Sequence, residues 1–198
     1  FWPLAAWFFF DCAVFFSFGG LWGGPYLIQV HHLSREQASR VLTMLAVGMI
    51  VGSPLLSYAS NRIFKARKPV LIISSLVTVA LTALLAFQTA ALSTSMLYAL
   101  CFGLGMFSSA VVVIGFTSNK ELFPVQMAGT ATGLVNLFPF AGGAVFQPVL
   151  GHLLEAQGRT ADGAFTPAGY QQAFLALFGC SLVALAASCM VRESIKHR

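Results

Sequence analysis

The sequence has very little charge. Of 198 residues only 9% are charged, against about 25% in a typical soluble domain, while 58% are hydrophobic and the mean hydropathy is +0.82. A soluble fold this poor in charge could not cover its own surface with polar groups, so lipid must cover it. Acids are the scarcest class, with six Asp and Glu against eleven Lys and Arg. In water the resulting net charge of +5 would raise nucleic acid as a partner. Here the basic residues sit in a few short loops, where they report orientation in a membrane, and no nucleic-acid partner is expected.

Catalytic and metal signatures are also lacking. There is no H-E-x-x-H, no P-loop and no G-x-S-x-G, so neither an enzyme nor a cofactor is expected. Cys12, Cys101, Cys180 and Cys189 all lie in apolar stretches, without a C-x-x-C or a metal-like His spacing, and read as buried helix thiols. His31 and His32 are adjacent in a loop, a poor spacing for chelation, and read as a solvated pair. The chain starts at Phe1 on residues that are already apolar, with no n-region or cleavage site before them. That excludes a signal peptide and suggests a fragment, or a chain with its N-terminal part removed.

What remains is length and apolarity. Six apolar segments run at about 4–30, 40–60, 70–88, 95–118, 128–154 and 171–191. Each reaches the roughly 20 residues that a membrane span needs. The expected fold is therefore an all-α membrane protein with six transmembrane helices. On one side fall Arg62, Lys65, Arg67, Lys68, Lys120, Arg192, Lys196 and Arg198; on the other fall Arg35, Arg40 and Arg159. This asymmetry places both termini in the cytoplasm.

The second and fifth helices echo each other. Gly48, Val51, Pro54 and Leu56 match Gly142, Val145, Pro148 and Leu150 at one constant offset, 94 residues from Gly48 to Gly142. Such an echo is what two inverted three-helix repeats would leave, the first over about 1–88 and the second over about 95–198. A chance match between two apolar helices would look the same.

Two helix faces carry the candidate chemistry. Asp11 is the only acid inside any expected span, and a carboxylate in a membrane usually faces a cavity or a partner. It is the candidate for proton coupling or for a cationic group of a solute. Asp11, Phe15, Phe18, Trp22 and Tyr26 follow at helical spacing, so one face would present an acid and four aromatics. Gly19, Gly20, Gly23, Gly24 and Pro25 interrupt the same helix, for close packing or for bending. In the fifth helix Asn136, Phe140, Gly143 and Gln147 share a face, and an amide within a span needs a partner or a wet cavity. Pro139 and Pro148 suggest kinks there. The substrate-binding candidates are thus Asp11, Phe15, Phe18, Trp22, Tyr26, Asn136, Phe140 and Gln147. Plain helix packing would use the same stripes. Lys120 and Glu121 read as an ionic cluster at a helix end, and the third and sixth helices read as lipid-facing supports.

Three stretches carry a family resemblance. Asn61-Arg62-Ile-Phe-Lys-Ala-Arg67-Lys68-Pro69 resembles the cytoplasmic loop signature G-x-x-x-D-R-x-G-R-R of the major facilitator superfamily, with Ser57 where the signature has Gly and Asn61 where it has Asp. Gly20-Leu-Trp-Gly-Gly-Pro-Tyr-Leu27 resembles the first helix of that family's C-terminal half. Glu121-Leu-Phe-Pro124, then Gly129-Thr-Ala-Thr-Gly133 and Asn136, resembles its later loop and fifth helix. The resemblance implies the C-terminal six-helix half of a secondary transporter working by alternating access, with helices one, two, four and five lining the cavity. Implied partners are a small organic solute, the bilayer of a bacterial inner membrane, and either an N-terminal six-helix half or a second copy of this chain. Asn61, Arg62, Arg67 and Lys68 would keep the loop's basic character. A proton symporter is one form this permease could take; a membrane scaffold or receptor without transport is the competing reading.

Overall fold

The computed structural model describes residues 1–193, and in it all six apolar segments are helical. They are α1 (Trp2–Gln29), α2 (Arg35–Ile63), α3 (Lys68–Phe87), α4 (Thr94–Glu121), α5 (Val125–Ala156) and α6 (Pro167–Met190), each long and apolar enough to cross a membrane. Several start earlier than hydropathy alone places them, because their caps are polar. The Ser34 hydroxyl accepts from the Gln37 N–H at 3.2 Å while the Gln37 side chain accepts from the Ser34 N–H at 2.9 Å, so α2 begins five residues before its apolar run. Thr166 caps α6 through the Gly169 N–H, with Pro167 in the first turn.

Three helices contain a π-turn: Phe18–Trp22 in α1, Ala59–Ile63 in α2 and Gly105–Ala110 in α4. Each turn of this kind takes one extra residue and rotates whatever follows it. In α5 the interruption is at Asn136, between Ala128–Val135 and Leu137–Ala156 and one turn ahead of Pro139, which cannot donate a backbone hydrogen bond. Pro148 lies inside the unbroken second segment.

The helices pair α1 with α5, α2 with α4 and α3 with α6, and α6 also packs on α1 and α5. The first two pairings are related by exchanging the first three helices for the last three. Their crossing points are related as well. A Cβ on Gly48 of α2 would overlap the carbonyl oxygen of Phe102 in α4, and a Cβ on Gly142 of α5 would overlap that of Phe9 in α1. In both places helix backbone touches helix backbone, which only glycine permits.

Two apolar clusters fill the bundle. One, around Phe18, Tyr26, Leu104, Leu150 and Phe174, occupies the half nearer the 31–34 and 157–166 loops. The other, around Trp7, Phe8, Leu71, Ile114 and Val191, lies nearer the basic end. The third and sixth helices are not simple supports. Their hydroxyls point inward: Ser74, Ser75, Thr78 and Thr82 of α3 and Ser181 and Ser188 of α6 are all buried. Thr82 and Ser181 share a hydrogen bond of 2.8 Å across the α3–α6 contact, and the Trp7 indole donates to Ser75 at 3.0 Å. Arg62, Lys65, Arg67, Lys68, Lys120 and Arg192 gather at one end of the bundle, and Arg35, Arg40 and Arg159 at the other. Lys196 and Arg198 lie outside the described residues.

Candidate functional site

A cavity of about 290 Å³ opens near mid-length on α1, α2, α4 and α5. Its wall comes from Cys12, Phe15 and Phe16 of α1, Met49 and Ser53 of α2, Ser108, Ser109, Val112, Val113 and Phe116 of α4, and Asn136, Pro139 and Phe140 of α5. No lining residue carries a charge. Phe16 and Phe140 stack across it, with ring centroids 5.7 Å apart and planes 23° from parallel. The Asn136 amide, at the break in α5, and the hydroxyls of Ser53 and Ser109 are the polar groups on an otherwise aromatic and aliphatic wall, while Ser108 is buried within it and turns its hydroxyl to Asp11. Such a wall suits an apolar or aromatic surface oriented by a few hydrogen bonds.

The structure brings Phe15, Asn136 and Phe140 of the sequence candidates to this cavity and distributes the others. Phe18 and Tyr26 are fully buried in the apolar core, where Phe174 packs against both. Asp11 and Phe18 keep one face, which is buried, but the expected face does not persist past Phe18, because the π-turn at Phe18–Trp22 rotates the residues that follow. Trp22 and Gln147 join α1 to α5. The Trp22 indole donates to the Gln147 carbonyl at 2.9 Å, and the Gln147 amide donates to the Phe16 carbonyl at 3.0 Å. Both polar groups are thus occupied between helices. The lining residues missed in the sequence, Phe16, Met49, Ser53, Ser109, Val112 and Phe116, have ordinary helical spacing. Only the packing of α1 on α5 and of α2 on α4 singles them out.

Asp11 is 1% exposed and does not reach the cavity surface. Trp7, Asp11, Val14 and Phe18 form the stripe of α1 that faces the bundle interior, and all are buried. The Ser108 hydroxyl lies 3.2 Å from the Asp11 carbonyl oxygen and 3.3 Å from Oδ2, while Oδ1 is buried without a partner. Asp11 therefore sits behind the wall, and Ser108 touches both the acid and the cavity.

At the basic end, Arg67 organises the loop that the signature marks. Its guanidinium donates to both oxygens of Glu121, at 2.8 and 3.3 Å, to Asn61 Oδ1 at 2.6 Å and to Ser60 Oγ at 3.0 Å. Asn61 therefore supplies a neutral acceptor where the signature has an acid. Glu121 belongs to the end cluster, as its position suggests. The Glu193 carboxylate accepts from the backbone N–H groups of Arg67 and Lys68 at 2.9 and 3.1 Å, closing the start of α3, which has no side-chain cap of its own. Arg62 and Lys65 are exposed.

The opposite end uses neutral groups. Tyr26 donates to the Thr89 carbonyl at 2.6 Å, and His31 Nε2 lies 2.9 Å from the same phenol oxygen. With its one proton committed to Thr89, the phenol accepts from His31. This histidine is therefore half-buried and bonded, unlike the solvated pair expected; His32 is exposed. Burial holds the His31 imidazole below its ordinary value, with His32 nearby acting in the same direction and a hydrogen bond to the Thr89 backbone opposing.

Among the described residues no group of three or more His, Cys, Asp and Glu could hold a metal ion. Sequence comparison finds no matching curated protein. The family model described as Major Facilitator Superfamily does match, over residues 4–197. That match spans the six membrane-length helices and the mid-length cavity, and the chain belongs to the major facilitator superfamily of membrane transporters.

Proposed function

We propose that this chain is the C-terminal six-helix half of a permease that moves a small organic solute by alternating access. The observation that carries this is the cavity: it lies near mid-length and is built by α1, α2, α4 and α5, the four helices expected to line a central site. Its uncharged wall of Phe15, Phe16, Phe116 and Phe140, with Asn136 and Ser53 as hydrogen-bonding groups, favours an uncharged solute or the apolar body of an amphiphile. Six helices supply one side of such a site, and an N-terminal six-helix half, or a second copy, supplies the other. The related α1–α5 and α4–α2 crossings support an inverted pair of three-helix repeats, over about 1–88 and 95–198. With the basic end in the cytoplasm, both termini lie on that side of the membrane, which we take to be a bacterial inner membrane.

The test is uptake of radiolabelled amphipathic solutes by proteoliposomes containing the full-length protein. Phe140→Ala and Asn136→Ala should each raise the KM for a transported solute about tenfold or more, with the protein still folded, through lost contact area and a lost hydrogen bond. Transport kinetics untouched by both variants would show that this cavity is not the solute site.

A further inference from the structure

We propose that Asp11 and Ser108 form a proton site behind the solute wall, in which one hydroxyl switches between two acceptors as the carboxyl gains or loses its proton. The geometry turns on a count of hydrogens. Ser108 has a single hydroxyl proton, yet its oxygen lies 3.2 Å from the Asp11 carbonyl and 3.3 Å from Asp11 Oδ2. With Asp11 ionised, that proton can satisfy only one of two acceptors. With Asp11 protonated on Oδ2, the acid donates to Ser108 Oγ and the Ser108 hydroxyl donates to the Asp11 carbonyl. Every proton then has an acceptor. One O–H bond forms at Oδ2 as one breaks in a hydronium ion, which is left as water; the hydroxyl keeps its own proton and only rotates.

Two further features belong to the same place. Asp11 Oδ1 is buried with no partner, so the ionised form leaves one carboxylate oxygen unsatisfied. Ser108 lies in the π-turn of α4 at Gly105–Ala110, whose extra residue sets where the hydroxyl points, and π-turns recur at functional positions.

Asp11 is free of competing charge. Beside it on α1 is the Cys12 thiol. The charged groups of the helices around it lie towards helix ends: Lys68 on α3, Lys120 and Glu121 on α4, and Glu155 on α5. In the interior, α4 offers Cys101 and α6 offers Cys180 and Tyr170. Among the described residues Asp11 bonds only Ser108. Because Ser108 also lines the cavity, the rotamer of its hydroxyl differs at the wall between the two protonation states. Ser108 is thus a positioning residue through which cavity and carboxyl sense each other. This coupling rests on the transport reading above; the proton site itself does not.

Infrared difference spectra of the full-length protein in lipid, recorded while the pH is stepped, test the site directly. The wild type should show a protonated-carboxyl carbonyl band that titrates and that Asp11→Asn abolishes. Ser108→Ala should move its midpoint by about one pH unit, a tenfold change in proton affinity, and Ser108→Thr, which keeps a hydroxyl, should restore it. Should Asp11→Asn fail to fold, Asp11→Glu serves, since it keeps an acid and should displace the band. A wild-type spectrum without a titrating band from residue 11, or a midpoint unmoved by Ser108→Ala, overturns the proposal. Uptake is measured in parallel on the same wild-type protein. A titrating band without uptake supports the proton site and overturns only the transport reading.

Discussion

The first three helices and the last three cross their partners in the same way but finish their surroundings differently. In α2, Val41, Leu45, Gly48 and Leu56 form the buried stripe; in α5, Val135, Pro139, Gly142 and Leu150 do so at the same 94-residue offset, from Gly48 to Gly142. What differs is the flank. Around Gly48 the helix is continuous from Arg35 to Tyr58, whereas α5 breaks at Asn136, six residues before Gly142. The shared element is therefore the backbone contact. The break belongs to the half that brings an amide to the cavity. Packing is common to both halves, and the polar groups are where they differ.

The largest effect should come from the crossings. Gly48→Val and Gly142→Val each push a side chain into a carbonyl oxygen that cannot move aside without its helix, and each should cost about 3 kcal/mol or more. Thermal unfolding of the purified full-length protein should show similar losses; a protein that tolerates one and not the other would break the equivalence. The α3–α6 contact comes next. Thr82→Val or Ser181→Ala alone should cost about 1 kcal/mol or less, because the remaining hydroxyl keeps a carbonyl of its own helix as acceptor, Thr78 or Phe178, and a double-mutant cycle should isolate the small energy of the bond between the helices.

The flank of α5 should respond with the opposite sign. Gly129 and Gly133 face open space, so Gly129→Ala and Gly133→Ala should stabilise by up to about 0.5–1 kcal/mol through lower backbone entropy in the unfolded chain. Loss of transport without loss of stability would assign these glycines to movement.

The smallest effect separates the two loops at the end opposite the basic cluster. His31 is held below its ordinary value of 6.5 in the fold, so the unfolded chain takes up that proton first as the pH falls. Its contribution to stability is complete above about pH 6.5 and is lost as the pH drops from there towards the folded value. The melting temperature should fall by about 2 °C on acidification, and His31→Gln should remove that dependence. In the other loop Arg159 stacks 4.4 Å over Phe165 and pairs with Glu155; it remains charged throughout and should contribute no such step.

The spans were legible because lipid imposes a length and a polarity that a single sequence displays directly. The 94-residue echo was legible because backbone contact accepts only glycine at Gly48 and Gly142. The cavity was legible only in part. Phe15, Asn136 and Phe140 follow from helical periodicity, and so does the sharing of one face by Asp11 and Phe18, although that face is buried rather than open to the cavity; the positions of Trp22 and Tyr26 do not follow, since nothing in Phe18-Gly-Gly-Leu-Trp22 announces a π-turn. Ser108 is a small residue in an apolar helix and carries no signal of its own. Its position against Asp11 depends on which helix packs on which, and no local pattern encodes that. The inward hydroxyls of α3 and α6 escaped for a related reason: in an apolar helix a serine facing lipid and one facing the core have the same spacing.

The Glu193 contact has a consequence for the order of assembly. The amides of Arg67 and Lys68 at the start of α3 are closed by a carboxylate as many as 126 residues further along the chain. During synthesis α3 enters the membrane long before residue 193 leaves the ribosome. Its basic end must wait with those donors hydrated, and this contact is made only after α6 has been inserted.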